Sequence, residues 1–292
     1  MKIYQDSVIL YAIPVFVVSV LAEGWILHLQ NRGKYPTKDA FASIGMGLGS
    51  AVINTFLKSI VLLSFFCLYQ YRLLEIPFTF SGWFLCFLAD DFSFYWHHRS
   101  CHGIRLFWAA HVNHHSSVNY NLAVALRQSW GELFHKYIWW MWLPIIGFHP
   151  VMILTMMSFS LIYQFFLHTE AVQHLGWFEY LFNTPSHHRV HHASNIEYLD
   201  KNHGGILIIW DRIFGTFSKE KNIPKPVFGI TKNIQTYNLW EIATHEYRNL
   251  WRDVKQAKNW KERFCYIFMP PGWSPNGNSL TTKELQKTTI KL

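Results

Sequence analysis

The sequence predicts an all-α protein: a multi-pass integral membrane helical bundle carrying a cytosolic histidine-rich helical cap. Three observations lead there. Apolar runs of membrane-spanning length recur along the first half of the chain. Histidines gather in three short clusters between such runs. Basic residues fall where they would place every cluster on one side of a membrane. Of the 292 residues, 50% are hydrophobic, 18% aromatic and 15% charged. An ordinary soluble domain carries about 25% charged residues.

Residues 8–29 contain one acid, Glu23, and one histidine, His28; residues 43–69 contain Lys58 as their one charge. A helix crossing the hydrocarbon core needs about 20 residues, and both runs meet that length. The first is too long for the apolar region of a signal peptide, and a second span follows at once, so it is expected to stay as an anchor. Residues 78–89 form a third apolar run, ended by the pair Asp90-Asp91. Residues 133–148 and 150–167 are shorter, and the turn-like Gly147-Phe148-His149-Pro150 joins them into an expected helical hairpin. The loop 30–40 carries Arg32, Lys34 and Lys38, whereas 70–77 carries Arg72 offset by Glu75. With 30–40 cytoplasmic, the third span returns the chain to the cytoplasm near Tyr95, and all three histidine clusters lie on that side. The membrane is a bacterial inner membrane or the endoplasmic reticulum.

Three regions follow: transmembrane helices over 1–75, a catalytic domain with its membrane hairpin over 76–218, and a basic cytosolic tail over 219–292. The net charge is +8, and the tail holds 13 of the 26 Lys and Arg against 6 of the 18 acids. After membrane spans, such a tail suits anionic lipid headgroups rather than nucleic acid. Within it, 219–226 reads as a linker, 235–264 has weak helical periodicity, and 270–280 is rich in turn residues. Cys67, Cys86, Cys101 and Cys265 lack the spacing of a disulfide framework or a zinc knuckle.

The clusters are "HHRSCH" (97–102), "HVNHH" (111–115) and "HHRVHH" (187–192). His98 and His102 stand four apart. His111, His114 and His115 repeat the spacing of His188, His191 and His192. Positions i, i+3 and i+4 share one helix face, so each cluster aims two or three imidazoles at one point. Neutral imidazole is the commonest metal-binding side chain and suits iron, copper, nickel and zinc alike. Eight such ligands exceed the four of a tetrahedral zinc and point to two metals side by side. His168, in "QFFLHTE", is a ninth candidate. The other histidines have ordinary readings, with His97 and His187 closest to the clusters. Asp90 and Asp91 precede His98 by eight and seven residues. An acid at membrane depth needs a partner, so this pair is expected to accept imidazole N–H bonds and orient the ligands. Glu132, Glu170, Asp200 and Asp211 are weaker candidates for that task, and Asn113 and Asn119 for hydrogen bonds to ligands or substrate. Trp96, Trp108 and the "WWMW" of 139–142 would exclude water and guide an alkyl chain. No glycine-rich dinucleotide fingerprint opens a helix after a strand, so reducing equivalents are expected from outside.

The three ordered clusters resemble the membrane fatty acid hydroxylase/sterol desaturase superfamily. The stretches "HHSSVNYNLAVALRQS" (114–129), "FFLHTE" (165–170), "NTPSHHRVHH" (183–192) and "GGILIIWDRIFGTF" (204–217) resemble its alkylglycerol monooxygenase-like branch. The resemblance spans roughly residues 80–217. It implies a non-haem di-iron oxygenase with a helical membrane bundle beneath a cytosolic cap. It implies ligation of two Fe by His98, His102, His111, His114, His115, His168, His188, His191 and His192, with zinc able to replace iron in purified protein. Relatives place a further histidine four residues before the ninth ligand, where this chain has Gln164. The first box is followed by Gly103 and the second by "SSVNYN", where the animal members carry an acid and "SSEDYN". The implied reaction hydroxylates a lipid C–H bond with O2. The implied substrate is a membrane lipid (an ether lipid, fatty acyl or sterol-like chain), and the reductant is tetrahydrobiopterin or an external electron-transfer protein. Desaturation or carotenoid hydroxylation by the same boxes, metal transport, and a structural zinc staple are the competing expectations.

Overall fold

The computed structural model describes residues 5–29, 35–221 and 223–289. Among them there is no strand, and β-type pairing is confined to the isolated bridges Phe182–Leu207 and Ala193–Phe228. The helices are α1 (Gln5–Leu29), α2 (Thr37–Tyr69), α3 (Phe80–Gly103), α4 (Arg105–His115), α5 (Leu133–Lys136), α6 (Trp142–Ile146), α7 (Pro150–Phe165), α8 (Pro185–His191), α9 (Ile209–Ile213), α10 (Leu239–Gln256), α11 (Trp260–Phe268) and α12 (Thr282–Thr289). Two of them, α1 over Tyr11–Leu29 and α2 over its whole length, are long and apolar enough to cross a membrane. Arg32 and Lys34, on which the expected orientation leans, lie outside the described residues.

Local chemistry sets several helix starts. The Thr79 hydroxyl accepts from Gly82 N at 3.3 Å ahead of α3. His149 Nδ1 accepts from Val151 N at 3.2 Å, and Pro150 occupies the first turn of α7, where its missing N–H costs nothing. Asn238 and Asn259 cap α10 and α11 in the same manner. The expected hairpin is only half regular. Its second arm is α7, but 133–148 breaks into one-turn pieces: α5, a 3-10 turn over Tyr137–Trp140, and α6 with Pro144 inside it.

One apolar core joins Phe65 of α2, Cys86 of α3, Trp140, Leu143 of α6 and Met152, Ile153 and Leu154 of α7. A second packs Ala12 and Phe16 of α1 against Leu122, Ala125 and Phe165, with Phe16 and Phe165 stacked at 4.1 Å. At about 1.5 Å per residue, the 33 residues of α2 extend about 50 Å, well past an apolar slab of about 30 Å. The first turns of α2 bury Asp39, Ala40, Ala42, Ser43 and Met46, where Ala42 and Met46 meet Ile242 and Ala243 of α10. Two glycines permit the approach. A Cβ at Gly47 would lie 2.6 Å from the Leu126 carbonyl, and one at Gly49 would lie 2.5 Å from the Trp130 indole nitrogen. That indole donates to Met46 O at 3.0 Å.

The segment expected as a basic tail is helical and tied down. Arg105, at the start of α4, pairs with Glu246 at 3.0 Å and Asp253 at 2.7 Å, both on α10. Deeper in, Arg127 donates to Asp39 Oδ1 at 3.2 Å, Asn113 O at 3.2 Å and Ser116 Oγ at 3.1 Å. It thereby fastens the end of α4 to α2. Arg127 and Asp39 are both buried. Replacing Arg127 with Met is therefore expected to cost about 3–5 kcal/mol, because it strands a buried carboxylate. Thermal unfolding of the detergent-solubilised protein measures it, and an unchanged midpoint would contradict the role of this pair.

Candidate metal centre

The second box lies on α4 and the third on α8, while the first closes α3. His168 follows the end of α7, its N–H bonded to Phe165 O. Four separate elements thus carry the nine sequence-predicted imidazoles, and the fold gathers them into two adjoining groups. His98, His102, His111, His115 and His191 form one; His114, His168, His188 and His192 form the other. Within each group one ring nitrogen per residue lies within 4.8 Å of all the others. The groups touch: the His115 and His192 rings stack at 4.3 Å, and the His111 and His114 rings are 5.6 Å apart.

The hydrogen bonds on the outer side of the rings fix which nitrogen faces inward. His98 Nδ1 donates to His203 O at 2.8 Å, and His191 Nδ1 to Lys201 O at 2.8 Å. His168 Nδ1 donates to Gln164 O at 2.9 Å. His111 Nδ1 donates to Glu132 Oε2 at 3.1 Å, and His102 Nδ1 to Asp200 Oδ1 at 3.3 Å. A carbonyl or carboxylate only accepts, so each of these rings has a proton on Nδ1, and in an uncharged ring Nε2 is then a bare lone pair. Two such lone pairs, His98 Nε2 and His111 Nε2, face each other at 3.0 Å. His168 Nε2 stands 3.1 Å from Nε2 of both His114 and His188. Nε2 of His102, His115, His191 and His192 is buried without a hydrogen-bond partner. Lone pairs converging at 3 Å repel one another unless a cation lies among them. The donor set is all imidazole, with no thiolate, and suits iron and zinc alike.

Burial holds His98, His114, His115, His188, His191 and His192 well below the ordinary imidazole range, and neighbouring imidazoles add to the effect. Burial also pushes His168 down to about 4. At neutral pH these rings are uncharged and available as ligands. Burial raises the Glu132 carboxyl, but hydrogen bonds from His111 and His97 outweigh it and hold the group well below the usual carboxylate range.

Several sequence expectations change here. Asp90 and Asp91 do not hold imidazoles. Asp90 Oδ1 accepts from the Trp140 indole at 2.7 Å. Asp91 accepts from Ile206 N at 2.7 Å, Leu207 N at 3.0 Å and the Trp210 indole at 2.9 Å. Their depth on α3 turns them toward the packing core and the 204–210 loop. The orienting acids are Glu132 and Asp200, two of the weaker candidates. Asp211 accepts from His203 N, Gly204 N and the Thr216 hydroxyl, shaping the loop that presents the His203 carbonyl. The side chain of Gln164 bonds Ser160 and only its carbonyl reaches His168. His187 meets Phe217 and belongs to neither group. Both side-chain polar atoms of Asn113 are buried without a partner, while Asn119 accepts from Ser117 through its carbonyl. Trp108 lies over His102 and His115, but Trp96 packs on Phe92 and Phe214, away from both groups. His203 is buried against His98 and His102, and its lone position in sequence carried no spacing signal.

The family model for fatty acid hydroxylases matches residues 83–216, which include all nine histidines, Glu132 and Asp200. An alkylglycerol monooxygenase of Homo sapiens is 39% identical over 289 residues, 96% of this chain and 63% of its own length. That of Danio rerio is 37% identical over 267 residues, 90% of this chain and 59% of its own length. An ornithine lipid hydroxylase of Rhizobium tropici is 25% identical over 154 residues, 52% of this chain and 46% of its own length. The chain thus spans about three-fifths of the length of the two alkylglycerol monooxygenases. No solved structure gives a significant match.

The outer hydrogen bonds predict which acids matter for metal retention. Glu132→Gln and Asp200→Asn are each expected to lower metal affinity about 10–100-fold, whereas Asp90→Asn should leave it unchanged. Metal retained against a graded chelator challenge measures this. Equal losses in all three variants would restore Asp90 to the metal shell.

Proposed function

We propose that the chain is a member of the fatty acid hydroxylase family, whose model matches residues 83–216, and that it is a membrane-bound, non-haem di-iron oxygenase that hydroxylates a lipid C–H bond with O2. One observation carries the reading: nine imidazoles form two adjoining groups whose ring nitrogens face one another at 3.0–3.1 Å. The substrate is an alkylglycerol or related ether lipid, a fatty acyl chain or a sterol-like molecule. The human and zebrafish relatives support the first of these, and the ornithine lipid relative supports hydroxylated lipids more broadly. One oxygen atom enters the C–H bond; the other leaves as water with two electrons and two protons from tetrahydrobiopterin or an electron-transfer protein. The two long apolar helices support an integral membrane setting; the cytoplasmic side for the histidines rests on the distribution of basic residues in the sequence.

Bound to the two groups, iron would supply the redox chemistry that an unactivated C–H bond demands. The chain supplies the rest. Glu132, Asp200 and the carbonyls of Gln164, Lys201 and His203 hold five Nδ1 protons outward and keep the rings in one orientation. Phe94 lies 5.3 Å from the His98 ring, and Tyr120 lies 5.3 Å from the His192 ring and stacks on Phe228. With Trp108 these rings exclude water from the imidazoles. The Tyr120 hydroxyl is tied to Leu167 O at 3.0 Å, which anchors that wall beside His168.

His114→Ala is expected to abolish lipid-dependent oxygen consumption while the protein stays in the membrane fraction; retained turnover would remove His114 from the centre. His245→Ala, on α10 and outside both groups, should leave turnover near wild type. With isotopically labelled O2, the lipid product should carry one labelled oxygen atom. A product two hydrogens lighter without label would make the enzyme a desaturase, and metal uptake into vesicles without oxygen consumption would make it a transporter.

A further inference from the structure

The first histidine box holds two ligand pairs in offset registers. His98 and His102 stand four apart on one face of α3, and His97 and Cys101 stand four apart one position earlier. One residue turns a helix by about 100°, so the second pair faces a different neighbour. That neighbour is the 130–136 segment, where α5 brings up His135. His97, Cys101 and His135 form a third group, each offering one donor atom within 4.8 Å of the other two. We propose that these three residues form a separate metal site for a borderline-soft divalent cation of the zinc type, held by one thiolate and two imidazoles.

The donors suit such an ion. Cys101 Sγ lies 3.8 Å from His97 Nδ1. Zinc bonds of about 2.0–2.3 Å place neighbouring donors of a tetrahedron roughly 3.5 Å apart. His97 Nε2 donates to Glu132 Oε1 at 2.9 Å, which leaves Nδ1 as its free donor atom; the sulfur lies beside the ring, 3.8 Å from Nδ1 and 4.0 Å from Nε2. Both ring nitrogens of His135 are buried with no hydrogen-bond partner, although its ring is held flat against Phe107 at 4.3 Å. A thiol–imidazole contact alone would satisfy His97 and Cys101 and leave His135 with two orphaned nitrogens; a cation engages all three residues and leaves one His135 nitrogen unpaired. Charge also balances. Burial pushes the Cys101 thiol up, and Glu132 adds to the effect, so the thiolate forms only as the cation binds and the proton leaves; with the Glu132 carboxylate it then offsets the divalent charge. His135 and Phe107 line a cavity of about 570 Å³ reaching Leu106, Phe134 and Tyr247, which gives an ion a route in.

The site is joined to the five-histidine group by one residue. Glu132 accepts from His97 on Oε1 and from His111 on Oε2. A cation on His97 acidifies the N–H that binds Glu132, draws carboxylate charge away from His111, and so tunes the larger centre.

The test uses the full chain loaded with Co²⁺ and, separately, with Zn²⁺. The nine-histidine groups contain no thiolate, so a sulfur-to-cobalt charge-transfer band in the near ultraviolet reports this site alone. The wild type is expected to show the band and to hold three metal ions per chain. Cys101→Ser should lose the band and one ion, and His135→Ala should lose one ion while the other two remain. His188→Ala should keep the band. Two ions per chain without the band, or a band that survives Cys101→Ser, overturns the proposal. The readout is independent of turnover: a band in the cobalt protein, together with no lipid oxidised by a separate iron-loaded sample, would sink the oxygenase reading and leave this site standing.

Discussion

Everything in the cap answers to one constraint: lone pairs of neutral imidazoles are held about 3 Å apart in a buried space. Left to themselves, His98 Nε2 and His111 Nε2 at 3.0 Å would repel and turn aside. They are prevented because each ring is gripped from behind, His98 by the His203 carbonyl and His111 by Glu132. The arrangement stores its cost in the scaffold and returns it when a cation binds, so metal affinity and folding are one free energy. The acceptors behind the rings are therefore as much part of the centre as the rings. Three of the five are backbone carbonyls, which no substitution at their own positions can remove.

The carbonyls in turn need fixed loops. Asp211 gathers the N–H groups of His203 and Gly204. Asn202, held at φ 56°, spans from His187 O to Ser218 through its side chain. Arg189, inside the third box, is clamped by both oxygens of Glu220 and donates to the carbonyls of Thr169 and Val172. Each of these charged groups is buried or nearly so, where an unpaired partner would cost several kcal/mol, and each is paired. Such networks contribute less to net stability than to fixing one arrangement, and a centre built from four separate elements requires that fixity.

What the sequence showed and hid follows from the range of each interaction. Eight of the nine imidazoles were legible because helical spacing is local: i, i+3 and i+4 converge whatever the tertiary fold; His168, alone in its segment, was marked by its place at the end of the hairpin and by the family resemblance. The division of the nine into five and four was not legible, because His114 and His115 are neighbours in sequence yet belong to different groups. Asp90 and Asp91 misled by proximity along the chain; the 50 residues to Trp140 and the 115 to Ile206 carry their hydrogen bonds. Glu132 stands 21 residues from His111 and 35 from His97 with no motif to mark it. The second register in "HHRSCH" was present in the letters, but its third donor, His135, is reached only through the fold. The irregular path of 133–148 escaped a reading by hydropathy, since a run of apolar letters does not report that Pro144 and the tryptophans divide it into single turns.

The same long-range logic argues that α1 and α2 are more than anchors. Each carries one buried acid in an otherwise apolar sequence, and each acid meets the metal-bearing segments. Glu23 of α1 accepts from Leu122 N at 2.8 Å and from the Thr169 hydroxyl at 2.7 Å, one residue beyond His168. Asp39 of α2 accepts from the Ser117 hydroxyl at 2.7 Å and from Arg127, which binds the end of the second box. A buried acid is costly unless partnered, and here the partners exist only when 113–127 and 167–169 are in place. Seating the two helices and setting His114, His115 and His168 are therefore one cooperative event. The histidine groups are not a separate unit beside two apolar helices: a buried acid from each helix holds the segments that carry His114, His115 and His168.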